Sequence, residues 1–239
     1  MRHIPNFITS LNLASGFIAI VFILNGDTVT ASWFILAAMA FDFLDGFASR
    51  ILKAYSDMGK ELDSLADVVS FGVAPGLIIY NLLYGSLIPA ETSTPSISGI
   101  TSLLFLLVPA IMPVFAGLRL AKFNIDTTQT TSFKGLPTPA NALAVISVVL
   151  AGEYGDSAII ETFLSIPLAI VLFSLILSVL MVTRIPMLSL KFTNPKFRGN
   201  EGKYILIVLC TALVLIFGFG GIPWIIPAYI AVSFISLLF

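Results

Sequence analysis

Four aspartates stand out in this sequence as side chains that could do chemistry. Asp42 and Asp45 are three residues apart, and Asp63 and Asp67 are four apart. On an α-helix both spacings bring the two carboxylates to one face. Carboxylates are costly in an apolar segment, whereas hard divalent cations prefer such oxygen ligands. We therefore expect two Mg2+ or Mn2+ ions here, with coordination positions left open for phosphate oxygens.

Residues with little or no side chain continue the helix faces that carry the aspartates. Steps of three, four or seven residues from an aspartate lead to Gly46, Ser49, Gly59 and Ser70. These positions leave space beside the carboxylates, so a large ligand could lie against this surface.

The elements that must position these residues are transmembrane helices. Of 239 residues, 58% are hydrophobic and 10% charged, whereas a soluble domain has about 25% charged residues. A span needs roughly 20 apolar residues. We expect eight spans, at about 8–25, 30–52, 60–84, 98–122, 137–152, 158–182, 204–220 and 222–238. Turn-forming stretches separate them, among them NGD at 25–27, PAETSTPSISG at 89–99, GEYGD at 152–156 and FGGIP at 219–223.

Charge and cysteine content exclude some classes of protein. The formal net charge of −1 argues against a nucleic-acid partner, because such partners are bound by basic surfaces. The single cysteine, Cys210, cannot form an intramolecular disulfide. The sequence therefore predicts an all-α integral membrane protein, with residues 1–239 forming one domain.

The positions of the charges predict the orientation of the spans. With eight spans, every basic residue falls at the N-terminus, in the loops after spans two, four and six, or at the span ends beside those loops. These residues are Arg2, Arg50, Lys53, Lys60, Arg119, Lys122, Lys134, Arg184, Lys191, Lys196, Arg198 and Lys203. The opposite loops hold Asp27, Glu91, Glu153 and Asp156. Because basic loops stay on the cytoplasmic side, we expect both termini and the aspartates to be cytoplasmic in a cell-membrane protein.

Residues 42–67 follow the pattern D-x2-D-G-x2-S-R-x8-G-x3-D-x3-D. This pattern resembles the signature of the CDP-alcohol phosphotransferase family, with Ser49 where that signature has alanine. The resemblance implies a homodimer with a core of six transmembrane helices (about 1–183), followed here by additional spans (about 204–238), and a polar cavity that faces the cytoplasm. It also implies that a CDP-linked lipid donates its phosphatidyl or related group to an alcohol and releases CMP.

The same resemblance assigns roles to individual residues. Metal binding would belong to Asp42, Asp45 and Asp63, while Asp67 would complete the metal site and act as general base. The site for the cytidine diphosphate of the lipid would comprise Asp45, Gly46, Ser49, Arg50, Gly59, Lys60 and Asp63. The N-terminal stretch also resembles the family pattern, and Asn6, Thr9 and Asn12 form a polar stripe that could approach the headgroup or nucleotide.

Three further stretches resemble the phosphatidylserine synthase branch of the family. They are VVSFGVAPG at 68–76, LRLAKFN at 118–124 and SFKGLPTPAN at 132–141. The resemblance implies CDP-diacylglycerol as donor and L-serine as acceptor, and the fork of an arginine suits the carboxylate of serine. The predicted serine or phosphate pocket consists of Ser70, Arg119, Lys122, Lys134, Thr138 and Asn141.

Other interpretations of these residues remain open. Within the family, the acceptor could be glycerol 3-phosphate or inositol phosphate. The aspartates could instead form salt bridges between helices, or line the ion path of a divalent-cation transporter. Such transporters often contain inverted repeats, and no internal repeat is visible in this sequence.

Overall fold

The computed structural model describes residues 3–87, 100–125, 133–188 and 200–236. Apart from one pair of short strands, the regular elements in these ranges are helices. The helices are α1 (His3–Leu24), α2 (Thr28–Ile51), α3 (Asp57–Asp67), α4 (Ala74–Leu87), α5 (Ile100–Leu107), α6 (Ile111–Ile125), α7 (Thr138–Tyr154), α8 (Ala158–Ser165), α9 (Pro167–Val182), α10 (Glu201–Phe217) and α11 (Ile225–Ile235). Strand β1 (Phe133–Lys134) pairs antiparallel with β2 (Pro186–Met187). The predicted all-α class is confirmed.

Five helical segments of the described residues are long and apolar enough to cross a membrane. They are His3–Leu24, Thr28–Ile51, Asp57–Leu87, Leu104–Ile125 and Glu201–Ile235. A sixth is added if α7 and α8, which meet at 117°, count as one broken span. The chain is therefore a multi-pass membrane protein, while the number of eight spans remains a prediction.

The predicted span 158–182 is divided into two helices. α8 ends at Ser165, α9 begins at Pro167, and Ile166 between them is extended, with φ −107° and ψ 101°. Proline lacks a backbone N–H and disfavours the helical conformation in the residue before it. Pro167 therefore explains the break inside this apolar stretch.

The last apolar stretch folds back on itself. Gly218, with φ +56°, ends α10, and a 3-10 segment, Gly218–Trp224, leads into α11. Gly202 at the start of α10 lies against Ser236, just after α11. A straight helix would separate two such distant residues by about 1.5 Å per residue, so α10 and α11 form two arms. We call residues 201–236 the C-terminal hairpin.

Contacts between distant segments gather several helix ends at one end of the bundle. The start of α1 meets the start of α3, where Asn6 packs against Gly59. The Lys60 ammonium donates to the carbonyl oxygen of Asn124 at the end of α6, at 2.7 Å. The β1–β2 pair joins the segment before α7 to the segment after α9. The described basic residues of these segments therefore lie together at this end of the bundle.

The opposite end of α1 and α2 is a tight turn. Asp27 caps α2, because its carboxylate accepts a hydrogen bond from the Thr30 amide at 2.8 Å. The hydrogen bonds from Thr30 hold the pKa of this exposed aspartate below its ordinary value. The predicted turn at 25–27 is thus confirmed. The turn segment 89–99 and the residues Arg2, Glu91, Lys191, Lys196 and Arg198 lie outside the described residues.

The centre of the molecule is α7, whose residues from Asn141 to Ala151 are nearly all buried. A helix that is apolar on all sides belongs inside a bundle. Beside it, a π-helical turn, Val68–Val73, joins α3 to α4 directly after Asp67. Such turns are frequent at functional sites. Gly72 lies in this turn, and a Cβ there would be 2.9 Å from the Cβ of Ala116, so α6 packs closely against it.

Candidate metal and substrate site

Three aspartates converge where α2 meets α3. One carboxylate oxygen each of Asp42, Asp63 and Asp67 lies within 4.8 Å of the other two. Asp42 comes from α2, and the other two come from α3. Ser56 fixes the start of α3, since its hydroxyl accepts a hydrogen bond from the Gly59 amide at 3.0 Å. We call these three aspartates the acidic cluster.

The fourth aspartate, Asp45, is held by α1. It is buried, and its Oδ2 accepts a hydrogen bond from the Thr9 hydroxyl at 2.6 Å. Asp45 is not part of the group that meets the 4.8 Å distance, although its charge acts on both Asp63 and Asp67. It therefore lies at the border of the acidic cluster, and its role as a metal ligand remains a prediction.

The polar stripe of α1 faces the acidic cluster. Thr9 makes the contact just described, and the amide nitrogen of Asn12 donates to Asp67 Oδ1 at 3.4 Å. Asn6 lies one turn earlier and packs against Gly59. The three-residue spacing noted in the sequence thus corresponds to one helix face that lies over α2 and α3.

Asp67 is contacted from two sides. Besides Asn12, the Thr138 hydroxyl at the start of α7 donates to its Oδ2 at 3.5 Å. Both distances are longer than the usual range of about 2.7–3.2 Å. The two oxygens of Asp67 are therefore oriented by their neighbours while they keep the capacity to bind a stronger partner.

The acidic cluster fits a divalent cation. Asp63 Oδ1 is buried and has no hydrogen-bond partner among the described residues, which is costly for a polar atom unless another group binds it. Neighbouring cations are directed elsewhere, since Arg50 Nε donates to the carbonyl oxygen of Gly46 at 2.8 Å and Lys60 donates to Asn124. Closely spaced carboxylate oxygens are the donor set that Mg2+ and Mn2+ prefer.

The residues predicted to bind the cytidine diphosphate differ in the space beside them. A Cβ on Gly46 would meet only Arg50 Nη2, at 3.8 Å, whereas a Cβ on Gly59 would be 2.9 Å from Asn6 Oδ1. Ser49 is partly exposed on the face of α2 that carries Gly46. Because glycine has no side chain, Gly46 leaves open space beside α2, whereas Gly59 lets α1 pack closely against α3. The nucleotide roles of these residues, and of Lys60, remain predictions.

A cavity of about 450 Å3 adjoins the acidic cluster through Arg119. Its cationic lining residues are Arg119, Lys122, Lys134 and Arg184. The Nε of Arg119 is buried, and no hydrogen-bond partner for it is found in the part of the chain that the structure describes. Arg119 also lies within electrostatic range of Asp67. The structure thus brings together three residues that were predicted to share a pocket. We call this cavity the basic pocket.

Arg184 is a member of the basic pocket that the sequence motifs do not indicate. It follows α9 and precedes β2, and the pairing of β2 with β1 brings it near Lys134. The sequence indicates Arg184 only as one of the basic residues assigned to the same side of the membrane. That assignment predicts the side on which Arg184 lies, and it does not place Arg184 in a pocket.

Two other predicted pocket residues support the π-helical turn. The hydroxyl of Ser70, which is fully buried, donates to the carbonyl oxygen of Asn12 at 3.1 Å. The amide nitrogen of Asn141 donates to the carbonyl oxygen of Phe71 at 3.3 Å, while its Oδ1 is buried and has no partner within the described ranges. The structure thus gives both residues packing contacts, and their contact with a substrate remains a prediction.

Known proteins resemble this chain over most of its length. The family model described as CDP-alcohol phosphatidyltransferase matches residues 2–180. A CDP-diacylglycerol--serine O-phosphatidyltransferase of Helicobacter pylori is 31% identical over 98% of this chain and 91% of its own. A protein of the same name from Bacillus subtilis is 37% identical over 61% of this chain and 75% of its own. The archaetidylserine synthase of Methanothermobacter thermautotrophicus is 31% identical over 72% of this chain and 67% of its own. The chain therefore belongs to the CDP-alcohol phosphatidyltransferase family.

Proposed function

We propose that this chain is an integral-membrane transferase that moves the phosphatidyl group of CDP-diacylglycerol to the hydroxyl of L-serine. The products are phosphatidylserine and CMP. The observation that carries the proposal is the position of Arg119, which lies within electrostatic range of Asp67 and lines the basic pocket. A donor phosphate and an anionic acceptor would therefore meet at one residue. The three relatives described above all carry serine in their names.

Asp42, Asp63 and Asp67, with Asp45 beside them, are the residues that would hold two Mg2+ or Mn2+ ions. Bound there, the cations would neutralise the oxygens of the pyrophosphate and make CMP a better leaving group. Gly46 and Ser49 would accommodate the cytidine diphosphate, because the surface at Gly46 is open. Arg50 and Gly59 belong to the same proposed binding region. Lys60 was assigned to it from the sequence, but its ammonium binds the end of α6 at Asn124, so its contribution to nucleotide binding is tested separately.

Asp67 is the proposed general base. Its carboxylate would accept the proton of the serine hydroxyl, while the hydroxyl oxygen forms a bond to the phosphorus that bears the diacylglycerol. The bond between that phosphorus and the bridging oxygen breaks, and the bridging oxygen leaves with CMP. The amide of Asn12 and the hydroxyl of Thr138 would orient Asp67, since both contact it at long distances.

The basic pocket is the proposed site for the carboxylate of serine. Arg119 presents a buried Nε that no described residue binds, and a guanidinium can bind a carboxylate with two parallel hydrogen bonds. Lys122, Lys134 and Arg184 would add to the positive potential around it. Ser70, Thr138 and Asn141 complete the set of proposed polar contacts to serine.

One observation favours a second acceptor. Arg184 makes the basic pocket richer in cations than the three residues found from the sequence, and a phosphate group needs more positive charge than a carboxylate does. Glycerol 3-phosphate or inositol phosphate is therefore the alternative acceptor to be tested.

The membrane arrangement belongs to the same proposal. We infer that the protein forms a single domain with eight spans in the cell membrane. Both termini and the site would lie on the cytoplasmic side, where the water-soluble serine and CMP can enter and leave. The positive charges near the site support this orientation. Family membership supports a homodimer, and the mass of the detergent-solubilised particle would test it.

The purified protein in detergent, with CDP-diacylglycerol and Mn2+ or Mg2+, tests the function directly. We expect release of CMP that depends on L-serine, with incorporation of labelled serine into lipid. Glycerol 3-phosphate and inositol phosphate serve as parallel acceptors. Release of CMP with a phosphorylated acceptor and none with serine would contradict the serine assignment. Uptake of divalent cations by proteoliposomes without any turnover of CDP-lipid would support a transporter instead.

A further inference from the structure

The C-terminal hairpin binds one residue close to the basic pocket through both of its backbone groups. The amide of Leu188, directly after β2, donates to the Ser233 hydroxyl oxygen at 3.1 Å. The carbonyl oxygen of Leu188 accepts a hydrogen bond from the Tyr229 hydroxyl at 3.0 Å. Tyr229 and Ser233 are four residues apart on α11, so one face of the helix provides both partners. We call these two hydrogen bonds the Leu188 clamp.

The side chains of the Leu188 clamp are buried and fixed in direction. Tyr229 is 5% exposed and Ser233 is 1% exposed. The Ser233 hydroxyl donates its proton to the carbonyl oxygen of Tyr229 at 2.7 Å, so its oxygen meets the Leu188 amide as an acceptor. Removal of either hydroxyl would take the partner from a backbone group that is shielded from water, which is costly.

The hairpin that carries the Leu188 clamp is also fixed at its turn. The rings of Phe219, in the turn, and Tyr154, at the end of α7, have centroids 5.0 Å apart. A Cβ on Gly155 would be 2.9 Å from the backbone nitrogen of Gly220, so the turn and the end of α7 are in close contact. Because α7 anchors the hairpin here, α11 is a firm support for the residue that it binds further along.

The Leu188 clamp fixes a short segment that contributes to the basic pocket. This segment runs from Arg184 through β2 to Leu188. Along one edge it pairs with β1, and the Gly135 amide donates to the carbonyl oxygen of Ile185 at 2.8 Å. Arg184, at the start of the segment, is exposed and lines the basic pocket. Its position therefore depends on β1 and on α11.

The residues after β1 are held in place without the Leu188 clamp. The Leu136 amide donates to the carbonyl oxygen of Leu180 in α9 at 2.9 Å. Two residues later, Thr138 contacts Asp67. Loss of the clamp should therefore loosen Arg184, while Thr138 and the acidic cluster keep their positions.

Tyr229 also connects α11 to the buried arginine of the basic pocket, because it lies within electrostatic range of Arg119. The family model ends at residue 180, whereas α11 begins at Ile225. Support for the basic pocket thus comes from a part of the chain outside the family model.

We propose that Tyr229 and Ser233 are positioning residues for the acceptor, which hold Arg184 in the basic pocket by binding Leu188 and thereby raise the affinity for the anionic group of the acceptor. This inference rests on the proposed function, because it takes the basic pocket as the acceptor site. An arginine on a loose segment would have to be ordered when the acceptor binds, at a cost in conformational entropy. The Leu188 clamp orders the segment beforehand.

Ser233→Ala tests the Leu188 clamp, and Ser236→Ala is its matched control. Both hydroxyls donate to the carbonyl oxygen four residues earlier at 2.7 Å, but Ser236 is not part of the clamp. We expect Ser233→Ala to raise the KM for L-serine about fivefold, the effect of losing roughly one hydrogen bond. The kcat and the KM for CDP-diacylglycerol should change less than about twofold, and Ser236→Ala should behave as wild type. An unchanged KM for serine, or an equal rise in KM for both substrates, would overturn the inference.

Tyr229→Phe removes the other hydrogen bond of the clamp and keeps the buried ring. The KM for serine should again rise about fivefold, with kcat unchanged. A fall in kcat at an unchanged KM for serine would contradict a role in positioning the acceptor pocket.

Arg184→Gln tests whether the Leu188 clamp acts through Arg184. Addition of Ser233→Ala to Arg184→Gln should change the KM for serine by less than about twofold, because the side chain that the clamp positions is already absent. A further rise of about fivefold would mean that Ser233 acts elsewhere, which contradicts the inference.

Hydrogen exchange measures the Leu188 clamp without turnover. The amide of Leu188 should exchange about tenfold faster in Ser233→Ala than in wild type, because a hydrogen-bonded amide exchanges when its bond opens. The Leu136 amide, which is bonded to α9, should keep its rate, and Ser236→Ala should leave both rates unchanged. Unchanged exchange at Leu188 in Ser233→Ala would mean that Ser233 does not hold the segment, and would overturn the inference.

Failure of this inference can be distinguished from failure of the proposed function. If wild type releases CMP with a phosphorylated acceptor and none with serine, the serine assignment is wrong, and a raised KM for that acceptor in Ser233→Ala supports the positioning role. If wild type uses serine and Ser233→Ala uses it with the same KM, the function stands and the positioning role is wrong.

Discussion

At Asp67, two functions compete for one carboxylate. Its oxygens belong to the acidic cluster, within 4.8 Å of Asp42 and Asp63, which suits a metal ligand. It also receives the long hydrogen bonds from Asn12 and Thr138, which suit an oriented base. Both functions are possible if one oxygen binds the cation and the other faces the serine hydroxyl.

Asp67→Asn separates the two functions. An amide keeps the size of the side chain and cannot accept the proton, so we expect turnover to fall by about 10²–10⁴-fold. Serine-dependent release of CMP gives the rate, and the electron paramagnetic resonance of Mn2+ gives the binding of the ion. Asp57→Asn, at an exposed position at the start of α3, should retain wild-type turnover. Near-normal turnover of Asp67→Asn with Mn2+ still bound would rule out the base role.

At the scale of elements, α3 and α6 are joined by a pair of hydrogen bonds at one end of the bundle. The Lys60 ammonium donates to the carbonyl oxygen of Asn124 at 2.7 Å, and the amide nitrogen of Asn124 donates to the Ser64 hydroxyl at 2.9 Å. A cation is favourable beside the last carbonyls of a helix. Because α3 carries Asp67 and α6 carries Arg119, these bonds align the acidic cluster with the basic pocket.

Lys60→Met tests whether Lys60 caps α6 or binds the nucleotide. Loss of the cation at the helix end should reduce stability by about 0.3–1 kcal/mol, measured as thermal unfolding in detergent. We expect kcat to fall, because Arg119 and Asp67 lose their alignment, with little change in the KM for CDP-diacylglycerol. Lys60→Arg, which keeps the charge and the donors, should restore both values. A raised KM with unchanged stability would instead support the nucleotide role.

At the scale of the whole molecule, three spaces of different chemistry surround the start of α7. The acidic cluster contacts Thr138, the basic pocket meets that cluster at Arg119, and an apolar cavity extends along Pro137 and Pro139 toward the C-terminal hairpin. This arrangement would let a lipid keep its chains in apolar surroundings while its phosphates and a soluble acceptor meet. The β1–β2 pair positions the loop residues of the basic pocket.

Metal removal probes the molecule as a whole. A ligand that binds only the folded state stabilises it by about 2.7 kcal/mol at a hundred times its Kd. We therefore expect Mn2+ to raise the unfolding temperature in detergent, and chelation by EDTA to reverse this rise and abolish turnover. Asp42→Asn should remove the shift. Asp156→Asn should retain it, because Asp156 is exposed and follows the end of α7 opposite to Thr138, which contacts Asp67. An equal shift in wild type and Asp42→Asn would exclude the acidic cluster as the metal site.

The sequence by itself determined the features that depend on local periodicity. Helical spacing put Asp42 beside Asp45 and Asp63 near Asp67, hydropathy predicted the apolar helices, and the motif from 42 to 67 indicated the family that the comparison confirmed. These signals are local, because a helix repeats every 3.6 residues whatever packs against it. The sequence also placed Arg119, Lys122 and Lys134 in the predicted serine or phosphate pocket, and all three line one cavity of the structure, while their role there remains a prediction.

Only the tertiary structure decided which faces meet. It joined Arg184 to the basic pocket through the pairing of β2 with β1, directed Lys60 to the end of α6, and paired Asp45 with Thr9 of α1. It also folded the hairpin back beside α2 and the start of α7, where these elements line an open apolar cavity. Periodicity shows which residues share a face of one helix. It carries no information about the partner of that face, which is set by packing between segments far apart in the chain.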